Sequence, residues 1–376
     1  MVQKRIPAAF IRGGTSKGVF FRADDLPGDA DARDQLFLDV IGAPDPYGRQ
    51  LNGMGGGISS LNKVMIVRAS ARVDADVEYT FGQVAVGAPL VDYSSNCGNL
   101  SSAIGPFAID EVLIEVDDGE PLVRLYNTNT DKIIHTRVPV AGGQTVIDGD
   151  FGIQGVAGTG ARLQLDYLDP GGAGTGRLLP TDRTTDEIEV DGEGPFTVSL
   201  VDAATPMVYV AAAAVGMDAT ERPDAIDADA GLKRRLEAIR RAGAVAMGLA
   251  NRAEDVPFAS PRITVLAPPT EFTALNDATI AAADQDITVR VISSGDAHRA
   301  SPLTSAMCLA AAAKIDGTLA HNLARESGGD LRIGNPSGVL EVGAEVIRDD
   351  GQWHALWTRS YRTQRRLMEG AVLVPG

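Results

Sequence analysis

Apolar and polar positions along the chain follow two periods. The stretches RIPAAFIRGG, KVMIVRAS, VEYTFGQVAVG, LVRLYNTNT and KIIHTRVPV mix β-branched and aromatic residues with polar ones in partial alternation, and each predicts a strand. The same texture returns in FTVSLVDAATPMVYVAA, RITVLAPP and ITVRVISS. GVLEVGAEVIRDDGQWHALWTRSYR predicts a hairpin turning at Asp349, Asp350 and Gly351, and GAVLVPG a closing strand. Helical spacing appears in four places. In DADARDQLFLDVIGAPDP, Leu36, Phe37, Val40 and Ile41 share one face, and Gly42 and Pro44 stop the helix. In DAGLKRRLEAIRRAGAVAMGLA, Leu232, Leu236, Ile239 and Ala242 form one stripe. The other two, residues 96–109 and 301–315, are apolar on every side and rich in small residues, so protein must surround them.

Each half therefore reads as strands with one apolar helix in the middle. The economical fold is α+β: two similar domains, each a curved, mostly antiparallel sheet wrapped round a central helix. Turn formers and acids dominate residues 180–194. The expected domains are 1–185 and 186–376, with the last strand free to pack back on the first domain.

Composition narrows the function classes. Asp and Glu number 50 against 34 Lys and Arg, a formal charge of −16, and no basic stripe is present, so nucleic acid is not an expected partner. No apolar run approaches the ~18 residues that span a bilayer, and the opening MVQKRIPAAFIRGG lacks the apolar core of a signal peptide, so no membrane is expected either. Two cysteines, Cys97 and Cys308, cannot build a disulfide framework, which points to a reducing cytoplasm. The four histidines show no metal-ligand spacing, and neither a P-loop, a GxGxxG nor a GxSxG elbow occurs, so no metal or cofactor is expected.

What remains is a set of short polar stretches. In NCGN, Ser95 or Asn96 is a candidate N-cap and Gly98 leaves the backbone open to a ligand. A thiol in the first turn of a helix meets the positive dipole end, which favours thiolate, and the free N–H groups of Gly98 and Asn99 can hold a carboxylate. A buried structural cysteine is the alternative. Cys308 falls about two turns into its helix, where it reads as a small core residue. The start of that helix offers Ser301, Thr304 and Ser305, preceded by His298 and Arg299, for a second carboxylate; plain capping is the alternative. RGGTSKG (residues 12–18) and NGMGGGISSLNK (52–63) bring N–H groups and a lysine close to an anion. Lys63 opens an apolar strand, where desolvation can favour a neutral amine that acts as a base; a solvated lysine is the alternative.

These motifs resemble the PrpF family of methylaconitate cis-trans isomerases, oxalomesaconate tautomerases and related allylic isomerases. The resemblance rests on IRGGTSKGVFFRADDLP, VIGAPDPYGRQLNGMGG, VEYTFGQVAV, NCGNLSSAIGPFAI, NPSG and LMEGAVLVP, and runs nearly end to end. It implies a diaminopimelate epimerase-like fold, an active site in the cleft between the domains, no cofactor, and a lysine and a cysteine as catalytic groups, here Lys63 and Cys97. Two segments depart from the family pattern. Leu61-Asn62-Lys63 stands where TSK is common, and HRASPLTSAMC differs from other members.

The expected activity is a proton and double-bond shift in a small unsaturated di- or tricarboxylate such as 2-methylaconitate, with 4-oxalomesaconate, aconitate and methylitaconate as alternatives. The substrate-binding groups are expected to be Thr15, Ser16, Lys17, Met54, Gly55, Asn96, Gly98, Asn99, Arg299, Ser301 and Thr304. An amino-acid epimerase would want two cysteines, each at a helix start. A carboxylate-binding protein without turnover is the reading from another class. A homodimer is an open option.

Overall fold

In the computed structural model, which describes residues 3–326 and 328–376, strand Lys4–Gly13 turns at Gly14 and Thr15 and returns antiparallel as Ser16–Arg22. The chain divides into two compact units. One comprises the chain up to Tyr167 together with Tyr361–Gly376, and the other is Leu168–Ser360. The segment 180–194, expected as a boundary, contains strand Asp186–Val190.

The first unit's sheet continues from Ser16–Arg22 to a parallel neighbour, Lys63–Ala69, and then to antiparallel Val77–Val84. Val77–Val84 has a parallel neighbour in Leu122–Asn127, which is followed by antiparallel Lys132–Arg137 and Leu163–Leu168. On its other side Lys4–Gly13 pairs antiparallel with Gln364–Val374. Parallel neighbours need a crossover, and each crossover carries a helix. Ala30–Ile41 lies between the first parallel pair, and the apolar segment near Cys97 between the second. Both faces of the sheet are buried, which is why the strands alternate only partly. Phe20, Met65, Val67, Tyr79 and Phe81 face the inner core with Leu100, Ile104 and Phe107. Val19, Phe21 and Val64 face the other way, onto Phe37, Val40 and Ile41 of the outer helix. Each large apolar side chain so buried stabilises the unit by roughly 1.5–3 kcal/mol.

The predicted single helix over 96–109 is two pieces, Gly98–Ser101 and Ile104–Asp110. Pro106 explains the break. It has no N–H to give the carbonyl of Ser102, four residues earlier, and the helix restarts with Phe107 N–H on Ala103 O at 2.9 Å.

The second unit repeats the order of pairing. Asp186–Val190, Gly194–Asp202 and Pro206–Ala211 are antiparallel, and Arg262–Ala267 runs parallel to the last of these. Ile287–Ser293 is antiparallel to it, Leu331–Asn335 is parallel, and Gly338–Asp349 and Gln352–Arg362 close antiparallel. The amphipathic helix Ala230–Ala246 covers one face through Leu236 and Ile239. Leu303–Ala313, shorter than the predicted 301–315, fills the other, with every residue from Ser305 to Ala312 buried. The α+β fold expected from sequence, a mostly antiparallel sheet round a central helix in each half, is the one observed.

Candidate active site

Strand alternation decides which polar side chains of the first unit meet. Ser16 and Gly18 point to the inner face with Phe20, and Lys63 points there with Met65. A methyl group on Gly18 would lie 2.8 Å from both the Leu100 side chain and the Lys63 carbonyl oxygen. Only glycine therefore lets the Lys63 strand and the Cys97 helix close on the same spot. Lys63 and Cys97 are each 8% exposed, buried yet reachable. The Cys97 sulfur lies 4.0 Å from the Ser16 hydroxyl, at the outer limit of a thiol hydrogen bond.

Lys63 sits directly opposite Gln83 on the neighbouring strand, and its Nζ donates to Gln83 Oε1 at 2.6 Å. The Phe81 ring lies 4.8 Å from the same nitrogen. Asn62, in the segment that departs from the family pattern, is fully buried. Its Oδ1 accepts from Gly56 N–H at 3.1 Å, which ties the glycine loop to the start of the lysine strand.

The N-cap position belongs to Cys97 itself and carries no side-chain cap bond, which corrects the expected Ser95 or Asn96. Asn96 instead accepts from Tyr79 Oη, Ser101 Oγ and Asn127 Nδ2, and so braces the loop from beneath. Burial pushes the Tyr79 phenol well above the usual phenol range, so it stays protonated. A four-residue helix carries little dipole. What it offers an anion is the N–H groups of Gly98, Asn99 and Leu100, which precede the first helical hydrogen bond, Ser101 N–H to Cys97 O.

Asn99 links three segments. Its Oδ1 accepts from Thr15 N–H at 3.4 Å and from Arg362 Nε at 3.3 Å. Arg12 donates to the carbonyls of Gly14 and Thr363, fixing the hairpin to the returning chain. Gly14 has a left-handed φ of 52°, and a Cβ there would strike Asn99 Oδ1 at 2.3 Å. Arg362 is a buried cation whose pKa is lowered by desolvation, with the neighbouring Tyr167 and Cys97 opposing that shift. Nothing in the sequence singled it out.

Several expected residues stand elsewhere. Lys17 faces away from Ser16, with its ammonium over the Phe10 ring at 5.6 Å. Met54 and Gly55 dock on the end of Ala30–Ile41, donating their N–H groups to Val40 O and Ile41 O. In the second unit, Arg299 is exposed, and its carbonyl accepts from Ser337 Oγ. Ser301 precedes the helix, and Pro302 is its N-cap. The cation there is one the sequence did not single out. Arg262 Nη1 donates to Thr304 Oγ1 at 2.9 Å and Ser305 Oγ at 3.0 Å. Beside it, His298 Nε2 and Ser293 Oγ lie 2.8 Å apart. Desolvation, then the Arg262 charge, hold His298 below the usual imidazole range. Cys308 is wholly buried, 3.5 Å from Val201 O, with its thiol pushed up to about 12 by burial. It cannot serve as the second thiol of an epimerase.

Among the described residues no group of three or more His, Cys, Asp or Glu could hold a metal ion, and no helix is long and apolar enough to cross a membrane. A profile of the PrpF protein family matches residues 3–375. The chain is 42% identical to 2-methyl-aconitate isomerase of Cupriavidus necator over 390 aligned positions, covering 100% of this chain and 98% of that one. It is 38% identical to 3-methylitaconate isomerase of Eubacterium barkeri, over 99% and 98% of the two chains. It also matches a crystal structure of methylitaconate-delta-isomerase with a TM-score of 0.93 and 37% identity, covering 100% of this chain and 96% of that chain.

Proposed function

Because the chain belongs to the PrpF family and is an isomerase, we propose that it moves a proton and a carbon–carbon double bond within a small unsaturated di- or tricarboxylate, with 2-methylaconitate as the leading candidate. The observation that supports this reading is that strand alternation turns Ser16 and Lys63 toward the inner face of the first unit, where the Cys97 sulfur lies 4.0 Å from the Ser16 hydroxyl at the start of a helix with no side-chain cap. The 42% identity to an isomerase named for 2-methylaconitate favours that substrate over the alternatives.

In this mechanism the neutral amine of Lys63 takes a proton from the carbon next to a carboxylate. The electron pair left behind spreads over the allylic system as a dienolate. N–H groups of Gly98 and Asn99 donate to the developing oxyanion, each worth roughly 3–4 kcal/mol in comparable sites. A proton then returns at the far carbon, from the Lys63 ammonium or from the Cys97 thiol. In the second case the lysine's proton passes to the thiolate before the next turnover. The old double bond has become a single bond in the dienolate, so rotation about it is free and a cis-trans change needs no redox step.

The test is a panel of 2-methylaconitate, aconitate, 3-methylitaconate and 4-oxalomesaconate, each followed by NMR in deuterium oxide. The expected result is turnover of 2-methylaconitate with deuterium appearing at the carbon that receives the proton. Turnover of another member alone would reassign the substrate. Absence of exchange in all four would overturn the proposal.

A further inference from the structure

We infer that Gln83 is the positioning residue of the lysine base, and that its being an amide and not a carboxylate lets it hold the amine without pairing it with a counter-charge. The inference rests on the reaction proposed above. Gln83 meets Lys63 as a cross-strand pair, so backbone register and not chance rotamers brings them together. The orientation of the amide is fixed from behind. Its Nε2 donates to Asn62 O at 2.8 Å and to Ser59 O at 3.1 Å, engaging both of its hydrogens. Turning the amide over would set its oxygen against two carbonyls and its hydrogens against the amine. Only Oε1 can therefore face Nζ, 2.6 Å away.

That contact does two things. It takes one N–H of Lys63 and, with the Phe81 ring 4.8 Å from the nitrogen, limits the directions in which the lone pair can point. It also does so without a counter-charge. A carboxylate at the same place would favour the ammonium and disarm the base. The two carbonyls of the short turn before Lys63 enforce the choice, because they accept hydrogen bonds and cannot donate to a carboxylate. The Leu61-Asn62-Lys63 segment thus acts on the lysine through the neighbouring strand.

The experiment measures kcat and kcat/KM against pH for wild type, Q83M, Q83E and K63A, with circular dichroism and melting as fold checks. Q83M should lower kcat by roughly ten- to hundredfold through misplacement of the amine, with KM little changed. Q83E should move the acidic limb of kcat/KM upward by about one pH unit or more and recover activity in alkali, which a merely structural role would not produce. If Q83M does not fold, the Q83E limb carries the test. An unmoved limb in Q83E with wild-type kcat in Q83M overturns the role of Gln83. If K63A is inactive at the same time, the base itself survives. Turnover by K63A near the wild-type rate overturns both.

Discussion

The strands beginning at Lys63 and at Arg262 occupy the same station in their two units, whose strands follow the same order of parallel and antiparallel pairing. In the first unit the station holds an amine, faced by one amide and an aromatic ring. In the second it holds a guanidinium bonded to Thr304 and Ser305, with Ser293 one step beyond the Ile263–Ile292 pair. A lysine amine is a group that can be deprotonated and act as a base, whereas a guanidinium keeps its charge. The same scaffold therefore presents an amine in one unit and a guanidinium in the other, and the proposed reaction uses the first as its proton carrier. The thiols diverge in the same way. Cys97 precedes its helix and stays within reach, while Cys308 sits inside its helix and is sealed.

The most damaging break of this contrast is K63R, which makes the first station resemble the second. It should keep the fold, with melting within a few degrees of wild type, and lose roughly 10²–10⁴-fold in turnover followed by substrate absorbance. Wild-type turnover would mean that a fixed positive charge suffices at the first station and that residue 63 transfers no proton. The next largest effect separates the thiols. C97A should lose roughly a hundredfold in kcat. C308A should keep kcat within about twofold and lose about 1 kcal/mol of stability, read by urea unfolding, because it opens a small void in a close-packed core. Native protein treated with iodoacetamide should be labelled at Cys97 alone, by peptide mass, with substrate slowing the reaction.

The smallest effect is in pH. The His298 pKa is lowered in the folded state, chiefly by burial and then by Arg262, so the unfolded chain takes up a proton that the folded one resists. Stability from this residue is full above about pH 6.5 and declines as pH falls toward the folded value. The urea midpoint of wild type should drop more than that of H298Q between pH 7.5 and 5. Equal drops would mean that the imidazole beside Arg262 does not sense its surroundings.

Most strands and both amphipathic stripes were legible because alternation and helical spacing are local signals. The break in the central helix was also legible in principle, since Pro106 stands in the sequence where an N–H was needed. Lys17 could have been read as well: if Ser16 faces inward, strand geometry sends its neighbour outward. Gln83, Arg262 and Arg362 were not legible. Each is one polar residue in a strand or at its end with nothing local to mark it, and its partner comes from another element: Lys63, Thr304 or Asn99. Burial of that kind is a property of the assembled sheet and leaves no spacing to recognise.

The pairing of Gln364–Val374 with Lys4–Gly13 has a consequence for biosynthesis. The second unit is one uninterrupted segment and can fold as soon as Ser360 clears the ribosome. The lysine-bearing unit must wait, its first strand unpartnered on one side, until the rest of the polypeptide has been translated. The nascent chain thus holds an open, aggregation-prone edge for most of its synthesis, and the unit that carries Lys63 and Cys97 is the last to mature.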